Sequence, residues 1–498
     1  MQQPTEPTMS DLKRKSVKGA FWTFGAQGGK MALQMLSVVV MARLLSPEDY
    51  GVFGMAAVFT QMVFVVKDLG LSQAAVQKKN LLPEESSALF WINVLFVLAL
   101  SALCCLLAPA AGSFYGDARV APIVAVSSLG YILVGLSAQH KALLQRQLRM
   151  RELALVEVLS KAFSFAAGVV AALGGLRHWS LVLATIADAF AHTVLLWSFG
   201  HWTPKFVSLR HGKACLKFGL DVAAFGLLNF FARNLDKILI GKFHPVADVG
   251  FYNKAYQTIS FPIQHIRGPI LQVANPALAR LQDDPERFRN YYRRFLSVLA
   301  FASMAPVALV IPLAEEFTAV LLGDQWLPAS RTIALLAVSA VVQPVVSTRG
   351  TVLVAAGRSR AYLWLGIINT TCTVVAFAIA APIGIEALAL AYAIVNYGLL
   401  YPSWLLLLDG TPVRWADFVA PTWRSFLGAC LIVATGGLFK ALVVPRGCSA
   451  FASLILTSAV CLAVWALYWL VVPGGRAFLS TLRSDLGIAF SRFKGKGK

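Results

Sequence analysis

The sequence predicts an all-α, polytopic membrane protein with about 14 transmembrane helices, arranged as two six-helix lobes related by an internal repeat plus two C-terminal helices. Apolar residues make up 58% of the 498 residues, charged residues only 14%, and the mean hydropathy is +0.68. Soluble domains carry roughly 25% charged residues, so this composition disfavours a water-soluble enzyme. Apolar runs of membrane-spanning length recur along the chain, and short motifs repeat at about half its length.

Runs of about 18 or more mostly apolar residues predict the helices in chain order. The predicted spans are 19–43, 50–70, 87–112, 120–141, 152–174, 179–200, 214–241, 249–275, 295–322, 332–356, 361–382, 386–408, 423–441 and 451–472. Pro262, Gly268 and Pro269 fall inside the eighth span, where neighbouring helices or a water-filled cavity can satisfy the backbone.

These spans predict the division of the chain. The predicted segments are a cytoplasmic N-terminal segment 1–18, an N-lobe 19–200, a cytoplasmic linker 201–213, a C-lobe 214–408, a linker with two additional helices 409–472, and a basic cytoplasmic tail 473–498. Most lysines and arginines lie in alternate loops, and basic loops stay in the cytoplasm during insertion. Both termini are therefore predicted to be cytoplasmic. The net charge of +20 indicates contact with anionic lipid head groups, not nucleic acid.

Short motifs match between the two predicted lobes at offsets of about 200 residues. Tyr50-Gly51-Val52-Phe53 aligns with Val249-Gly250-Phe251-Tyr252, each at the entrance of a predicted helix. The basic turn at 149–151 pairs with that at 358–360, and Thr203-Pro204 pairs with Thr411-Pro412. Because each lobe has an even number of helices, the repeats are predicted to be parallel.

Charged side chains inside spans cost about 2.5 to 3.5 kcal/mol each on insertion scales, so they are functional candidates. Cations outnumber acids there, which predicts a central water-filled cavity with a positive lining, suited to an anionic or phosphate-bearing substrate. The candidate substrate-binding cations are Lys30, Lys161, Arg233, Arg267 and Arg349.

The candidates for carrying a coupling ion are Glu157, Asp188 and Asp221. Asp188 and Asp221 could instead pair with one of the cations. Glu157 and Lys161 stand four residues apart on one helical face and could neutralise each other, which is as consistent with the pattern as a substrate role.

No cofactor or metal is predicted. The seven cysteines show no C-x-x-C spacing and the seven histidines no metal-ligand spacing. Gly29-Lys30 lacks the earlier glycine and the following Ser or Thr of a phosphate-binding loop. Without ATPase motifs, transport would use an ion gradient, the membrane potential or the substrate gradient.

The segment Ala42-Arg43-Leu44-Leu45-Ser46-Pro47-Glu48-Asp49-Tyr50-Gly51 resembles the signature of the polysaccharide-transporter branch of the multidrug/oligosaccharidyl-lipid/polysaccharide exporter superfamily. Asp68-Leu69-Gly70-Leu71, Asp236-Lys237 with Gly241, Gly250-Phe251-Tyr252, and the segment from Asn275 to Gln282 resemble the Wzx-type flippases of the colanic acid subgroup. The likeness covers roughly residues 10–410.

The resemblance implies a flippase that moves an undecaprenyl-pyrophosphate-linked oligosaccharide repeat unit across the bacterial inner membrane for exopolysaccharide, capsule or lipopolysaccharide biosynthesis. It implies alternating access by rocking lobes, with the polyprenyl tail left in lipid. The partners expected on this basis are the lipid-linked oligosaccharide, membrane lipids, a coupling proton or sodium ion, and the polysaccharide polymerase.

Two alternatives within the superfamily remain. A flippase for the lipid II-type peptidoglycan precursor would share the fourteen helices and the cationic cavity, although the match at residues 42–51 favours the polysaccharide branch. An ion-coupled drug exporter would usually need an anionic or aromatic cavity, against the basic excess. A membrane-embedded glycosyltransferase or polymerase subunit commonly needs a large extramembrane loop, and the longest predicted loop is about 20 residues.

Overall fold

The computed structural model of the chain describes residues 9–66, 71–72, 75, 78, 81–209, 230, 234–408, 410–444 and 448–494. Within these residues the regular structure is helical and contains no strand. The helices are α1 (Met9–Leu44), α2 (Pro47–Val66), α3 (Pro83–Tyr115), α4 (Val120–Arg146), α5 (Met150–Leu173), α6 (Trp179–Gly200), α7 (Val246–Arg280), α8 (Pro285–Val310), α9 (Ala314–Leu321), α10 (Ser330–Val346), α11 (Thr348–Ala355), α12 (Ser359–Ala380), α13 (Ile385–Gly398), α14 (Leu400–Leu408), α15 (Trp415–Leu442), α16 (Ala450–Val471) and α17 (Gly475–Lys494). A 3-10 turn at Asp324–Ala329 precedes α10, and residues 234–243 are also helical.

Ten stretches of the described chain are long and apolar enough to cross a membrane, which confirms the all-α membrane class. Each coincides with one predicted span, beginning with Pro83–Tyr115 and ending with Ala450–Val471. Three further predicted spans coincide with α1, α2 and α7, and the span 214–241 lies largely outside the described residues. The total of fourteen spans stays a prediction.

Three predicted spans are broken, and one of them is the span 295–322, which contains the end of α8 and all of α9, separated at residues 311–313. The span 332–356 contains α10 and α11, separated at Ser347, and the span 386–408 contains α13 and α14, separated at Leu399. The span 295–322 begins earlier than predicted, at Pro285, because its first turns are rich in arginine and were assigned to a loop. By contrast, α7 runs unbroken through Pro262, Pro269 and Pro276.

Local sequence explains where helices begin. Ser46 and Asp49 form a reciprocal cap at the start of α2: the Asp49 carboxylate accepts from the Ser46 N–H (3.1 Å), and the Ser46 hydroxyl accepts from the Asp49 N–H (3.2 Å), with Pro47 at the first helical position. Asp284 caps α8 through the Arg287 N–H (3.0 Å), and Ser449 caps α16. The segment at residues 42–51 therefore contains the capped start of α2.

The chain divides into two compact units, Met1–Gly250 and Phe251–Lys498. In the first, α4 packs against α2, α3 and α6, while α5 packs against α1 and α6. In the second, α8 packs against α10 and α15, α10 against α13, and α15 against α16. The division follows Gly250, and so residues 234–243 belong to the first unit; the predicted lobe boundary at 201–213 stays a prediction.

Candidate substrate-binding site

Charged side chains from four helices of the first unit meet in one group. Lys30 on α1 and Lys141 on α4 both approach Glu157 on α5, with Nζ–Oε distances of 3.3 and 3.8 Å. One turn further along α5, Lys161 donates to the Asp188 carboxylate of α6 at 2.7 Å. We call these five residues the lysine–carboxylate cluster.

Small residues bring the helices of the cluster together. A Cβ on Gly29, which precedes Lys30, would lie 3.8 Å from Val158 of α5. Gly168 of α5 lies against Ala184 of α6, and the Ser164 hydroxyl donates to the Ala184 carbonyl at 2.7 Å. Such small and hydroxyl-bearing positions allow close helix packing in a membrane protein. The lysines and carboxylates are thus positioned by the packing of α5 between its two neighbours.

Three lysines face two carboxylates, so the cluster carries an excess positive charge. Its side chains are 29–40% exposed in the structure. Asp188 Oδ1 is buried and, within the described residues, accepts no hydrogen bond. Charges away from bulk water interact more strongly than on a soluble surface, so the same groups can hold an anion or exchange partners.

The pairing on α5 differs from the simplest sequence interpretation. Glu157 and Lys161 do not pair with each other; Glu157 pairs with lysines of α1 and α4, and Lys161 pairs with a carboxylate of α6.

Lys141 is absent from the predicted site because the predicted fourth span ends there, whereas α4 continues to Arg146. The sequence signal was available, since residues 142–144 continue the apolar pattern of the helix.

Arg349 lies in the second unit and is 93% buried, on the first turn of α11. Its Nε donates to the Val346 carbonyl (2.8 Å) and a terminal nitrogen donates to the Leu399 carbonyl (3.4 Å). These carbonyls stand at the C-terminal ends of α10 and α13, where helix dipoles favour a cation. Arg349 therefore connects the span that is broken at Ser347 with the span that is broken at Leu399.

The remaining predicted site residues are distributed as follows. Arg267 is half-buried on α7 in the second unit. Arg233 and Asp221 lie outside the described residues. The structure thus brings together Lys30, Glu157, Lys161 and Asp188 and adds Lys141 to them.

The signature loop connects several elements of the first unit. The Asp49 carboxylate also accepts from the His178 N–H (3.1 Å) before α6, and Glu48 binds Arg119 (2.8 Å) in the loop between α3 and α4. The side-chain hydrogen bond from Arg119 also lowers the pKa of Asp117 in that loop. The charges of this loop thus serve structure, outside the lysine–carboxylate cluster.

Among the described residues, no group of three or more His, Cys, Asp or Glu side chains is arranged to hold a metal ion. The six described cysteines are free thiols.

Comparison with known proteins agrees with this fold. Residues 40–331 match the family described as "Polysaccharide biosynthesis protein". The chain is 24% identical over 426 residues to "Lipopolysaccharide biosynthesis protein WzxC" of Escherichia coli (strain K12), covering 83% of this chain and 85% of that protein. It is 25% identical over 416 residues to "Succinoglycan biosynthesis transport protein ExoT" of Rhizobium meliloti (strain 1021), covering 82% and 84%.

Among solved structures, the fold is similar to "Lipid II flippase MurJ, inward closed conformation", with a TM-score of 0.70 at 13% identity, over 94% of this chain and 99% of that one. An inward-facing multidrug resistance MATE family transporter of the MOP superfamily matches with a TM-score of 0.62 at 13% identity, over 80% and 95%. The structural likeness shows a transporter fold. Because the family match spans more than half of the sequence, the chain belongs to the polysaccharide biosynthesis protein family of multi-pass membrane proteins.

Proposed function

We propose that the protein is a Wzx-type flippase, which moves an undecaprenyl-pyrophosphate-linked oligosaccharide repeat unit from the cytoplasmic to the periplasmic leaflet of the bacterial inner membrane. The family, and relatives named for lipopolysaccharide and succinoglycan biosynthesis, support a polysaccharide precursor as the cargo. The motif resemblance supports the colanic acid subgroup. Neither a pyrophosphate nor an oligosaccharide crosses about 30 Å of hydrocarbon unaided.

The lysine–carboxylate cluster is the observation that carries this proposal. A pyrophosphate is a compact, multiply charged anion. Lys30 and Lys141 place their ammonium groups at Glu157, and Lys161 places its ammonium group at Asp188, one turn further along α5 from Glu157. Lysine binds phosphate as a point charge, without the fixed geometry that arginine requires. Arg233, Arg267 and Arg349 stay candidates for further contacts with the substrate.

The two carboxylates supply a route to ion coupling. When Glu157 and Asp188 are ionised they compete with the substrate for the lysines. Protonation of either carboxylate, or its neutralisation by sodium, would release a lysine to the pyrophosphate. Cargo binding and ion binding would then be linked at one site.

The same proposal fixes the setting of the protein. Both termini lie in the cytoplasm, where the precursor is assembled, and export delivers the repeat unit to the side where the polysaccharide polymerase uses it. The polymerase is therefore the proposed protein partner, and membrane lipids surround the spans.

The experiment is complementation of a strain that lacks this protein, with Lys161→Gln and Lys205→Gln introduced separately. Lys205 is an exposed lysine of the first unit whose contacts are made by its backbone, so this matched control loses the same charge outside the cluster. We expect Lys161→Gln to accumulate lipid-linked oligosaccharide in the inner leaflet and to lose surface polysaccharide at normal protein level. Equal export by both variants would reject the cluster as the binding site; normal lipid-linked pools in the deletion strain would reject the flippase function.

A further inference from the structure

A cavity of about 680 Å³ lies in the second unit, where α8 and α15 both begin. Its walls include Arg289 on the first turns of α8, the loop residues Thr411 and Pro412, and Arg414 immediately before α15. Glu286 is the carboxylate among the lining residues, and Glu286 and Arg414 are exposed at its rim. The cavity is separate from the lysine–carboxylate cluster, which belongs to the first unit.

A buried carboxylate holds two arginines in place at this cavity. Asp417 is fully buried on the first turn of α15 and accepts from Arg289 Nε at 2.9 Å and from Arg293 Nε at 2.5 Å. One carboxylate balances only one of these two guanidinium groups. Asp417 also accepts a hydrogen bond from the Arg414 backbone N–H at 2.8 Å. The Arg414 side chain itself is exposed. The first turns of two helices add further positive potential.

The cavity lies where two candidate membrane spans begin. Both Pro285–Val310 and Trp415–Leu442 are stretches apolar enough to span a membrane, and the cavity is at the start of each. Arg424 on α15 binds the Pro473 carbonyl (2.8 Å) ahead of α17, a helix that carries Arg476 and Arg483. Phe478 of α17 packs against Trp469 of α16, with 5.1 Å between the ring centroids. Arg289, Arg414 and Arg476 thus stand near the starts of three helices, and basic groups at the ends of spans attract anionic head groups.

We propose that this cavity binds the head group of an anionic phospholipid, with Arg289 and Arg414 contacting its phosphate. Inorganic phosphate or a soluble phosphate ester shares this chemistry. The position at the start of two spans favours the lipid, because there the acyl chains of a bound lipid would lie along the apolar surfaces of α8 and α15.

The test is native mass spectrometry of the full chain, delipidated in detergent and then offered phosphatidylglycerol or phosphatidylcholine. Arg414→Glu reverses the charge of an exposed side chain and keeps the backbone N–H that binds Asp417. Arg331→Glu is the matched control, since Arg331 is an exposed arginine next to the start of α10 that does not line the cavity. We expect Arg414→Glu to weaken phosphatidylglycerol binding about tenfold, while Arg331→Glu and the phosphatidylcholine signal change little.

Equal retention of phosphatidylglycerol by the two variants would overturn the site. Addition of millimolar inorganic phosphate distinguishes the sources of the anion. If phosphate binds in an Arg414-dependent manner and displaces phosphatidylglycerol, the assignment to a lipid is wrong and the cavity is a site for a soluble phosphate. Persistence of the bound lipid in phosphate supports the lipid head group.

Discussion

Glu157 is central to the charge balance of the candidate site, because two lysines from different helices share its carboxylate. Depth in the membrane was enough to select Lys30, Glu157, Lys161 and Asp188 from the sequence. Their pairing was not predictable, since i,i+4 spacing on α5 suggested a local pair while packing against α1, α4 and α6 supplied closer partners. A helix with several neighbours offers its charges more partners than its own sequence reveals.

Replacing Glu157 with Gln should free Lys30 and Lys141 from their shared carboxylate and leave the side chain nearly unchanged in size. We expect binding of a polyprenyl pyrophosphate to the purified protein to tighten by at most about fivefold, since partly exposed ion pairs are worth up to about 1 kcal/mol. Export of repeat units should fall, because the released lysines hold the cargo and one coupling group is gone. Binding is measured by fluorescence titration and export by surface polysaccharide.

Glu315→Gln serves as the control for this change. Glu315 pairs with Lys440 at 3.2 Å in the second unit, outside the cluster. Its replacement should leave both pyrophosphate binding and export at wild-type values. Weaker binding by Glu157→Gln would contradict the role of Glu157 as a competitor of the substrate.

Arg349 illustrates what the sequence conceals about function. Its depth marked it as a cavity cation, yet its hydrogen bonds go to backbone carbonyls at the ends of α10 and α13. Backbone carbonyls of this kind can be predicted as hydrogen-bond acceptors only when the positions of the helix breaks are known. Pro344 and Gly398, each close to one of the breaks, were the available signals.

At the scale of elements, the repeated motif has a direct structural meaning in the first unit. A Cβ added to Gly51 would lie 1.9 Å from the Val246 carbonyl oxygen, and one added to Gly250 would lie 1.9 Å from the Pro47 carbonyl oxygen. The first turn of α2 and the first turn of α7 therefore contact each other through matched glycines. The two copies of the repeated motif, at residues 50–53 and 249–252, therefore align in sequence and also contact each other in the structure.

Alanine at Gly51 or Gly250 should therefore force these two backbones apart. We expect each substitution to lower the melting temperature of the detergent-solubilised protein and its yield, with a cost of about 1–3 kcal/mol or more from overpacking. Gly366→Ala is the matched control, because Gly366 lies inside α12 with open space where its Cβ would be. That change should keep or raise the melting temperature, since Ala favours the helix. Unaltered melting of Gly51→Ala would show that the contact does not bear on stability.

At the scale of the whole molecule, hydropathy located the strongly apolar helices and failed to resolve the charged ones. Ten predicted spans recur with ends shifted by up to about ten residues, as in α8, whose arginine-rich start hid its true beginning. Spans such as α1 and α7 carry more polar and charged residues, and Lys30 of α1 pairs with Glu157 of α5. The division after Gly250 was not predicted, because grouping depends on contacts, not on hydropathy.

The distribution of basic residues predicts the topology of the chain in the membrane. With both termini in the cytoplasm, the turn at Gly175 between α5 and α6 should face the periplasm, and Lys205 after α6 the cytoplasm. Alkaline phosphatase fused after Gly175 should be active, because it folds only in an oxidising compartment. A fusion after Lys205 should be inactive, whereas green fluorescent protein joined to the C-terminus should fluoresce. The reverse pattern would place the arginines of α8 and α17 on the periplasmic side and would require the flippase to load its substrate from the opposite leaflet.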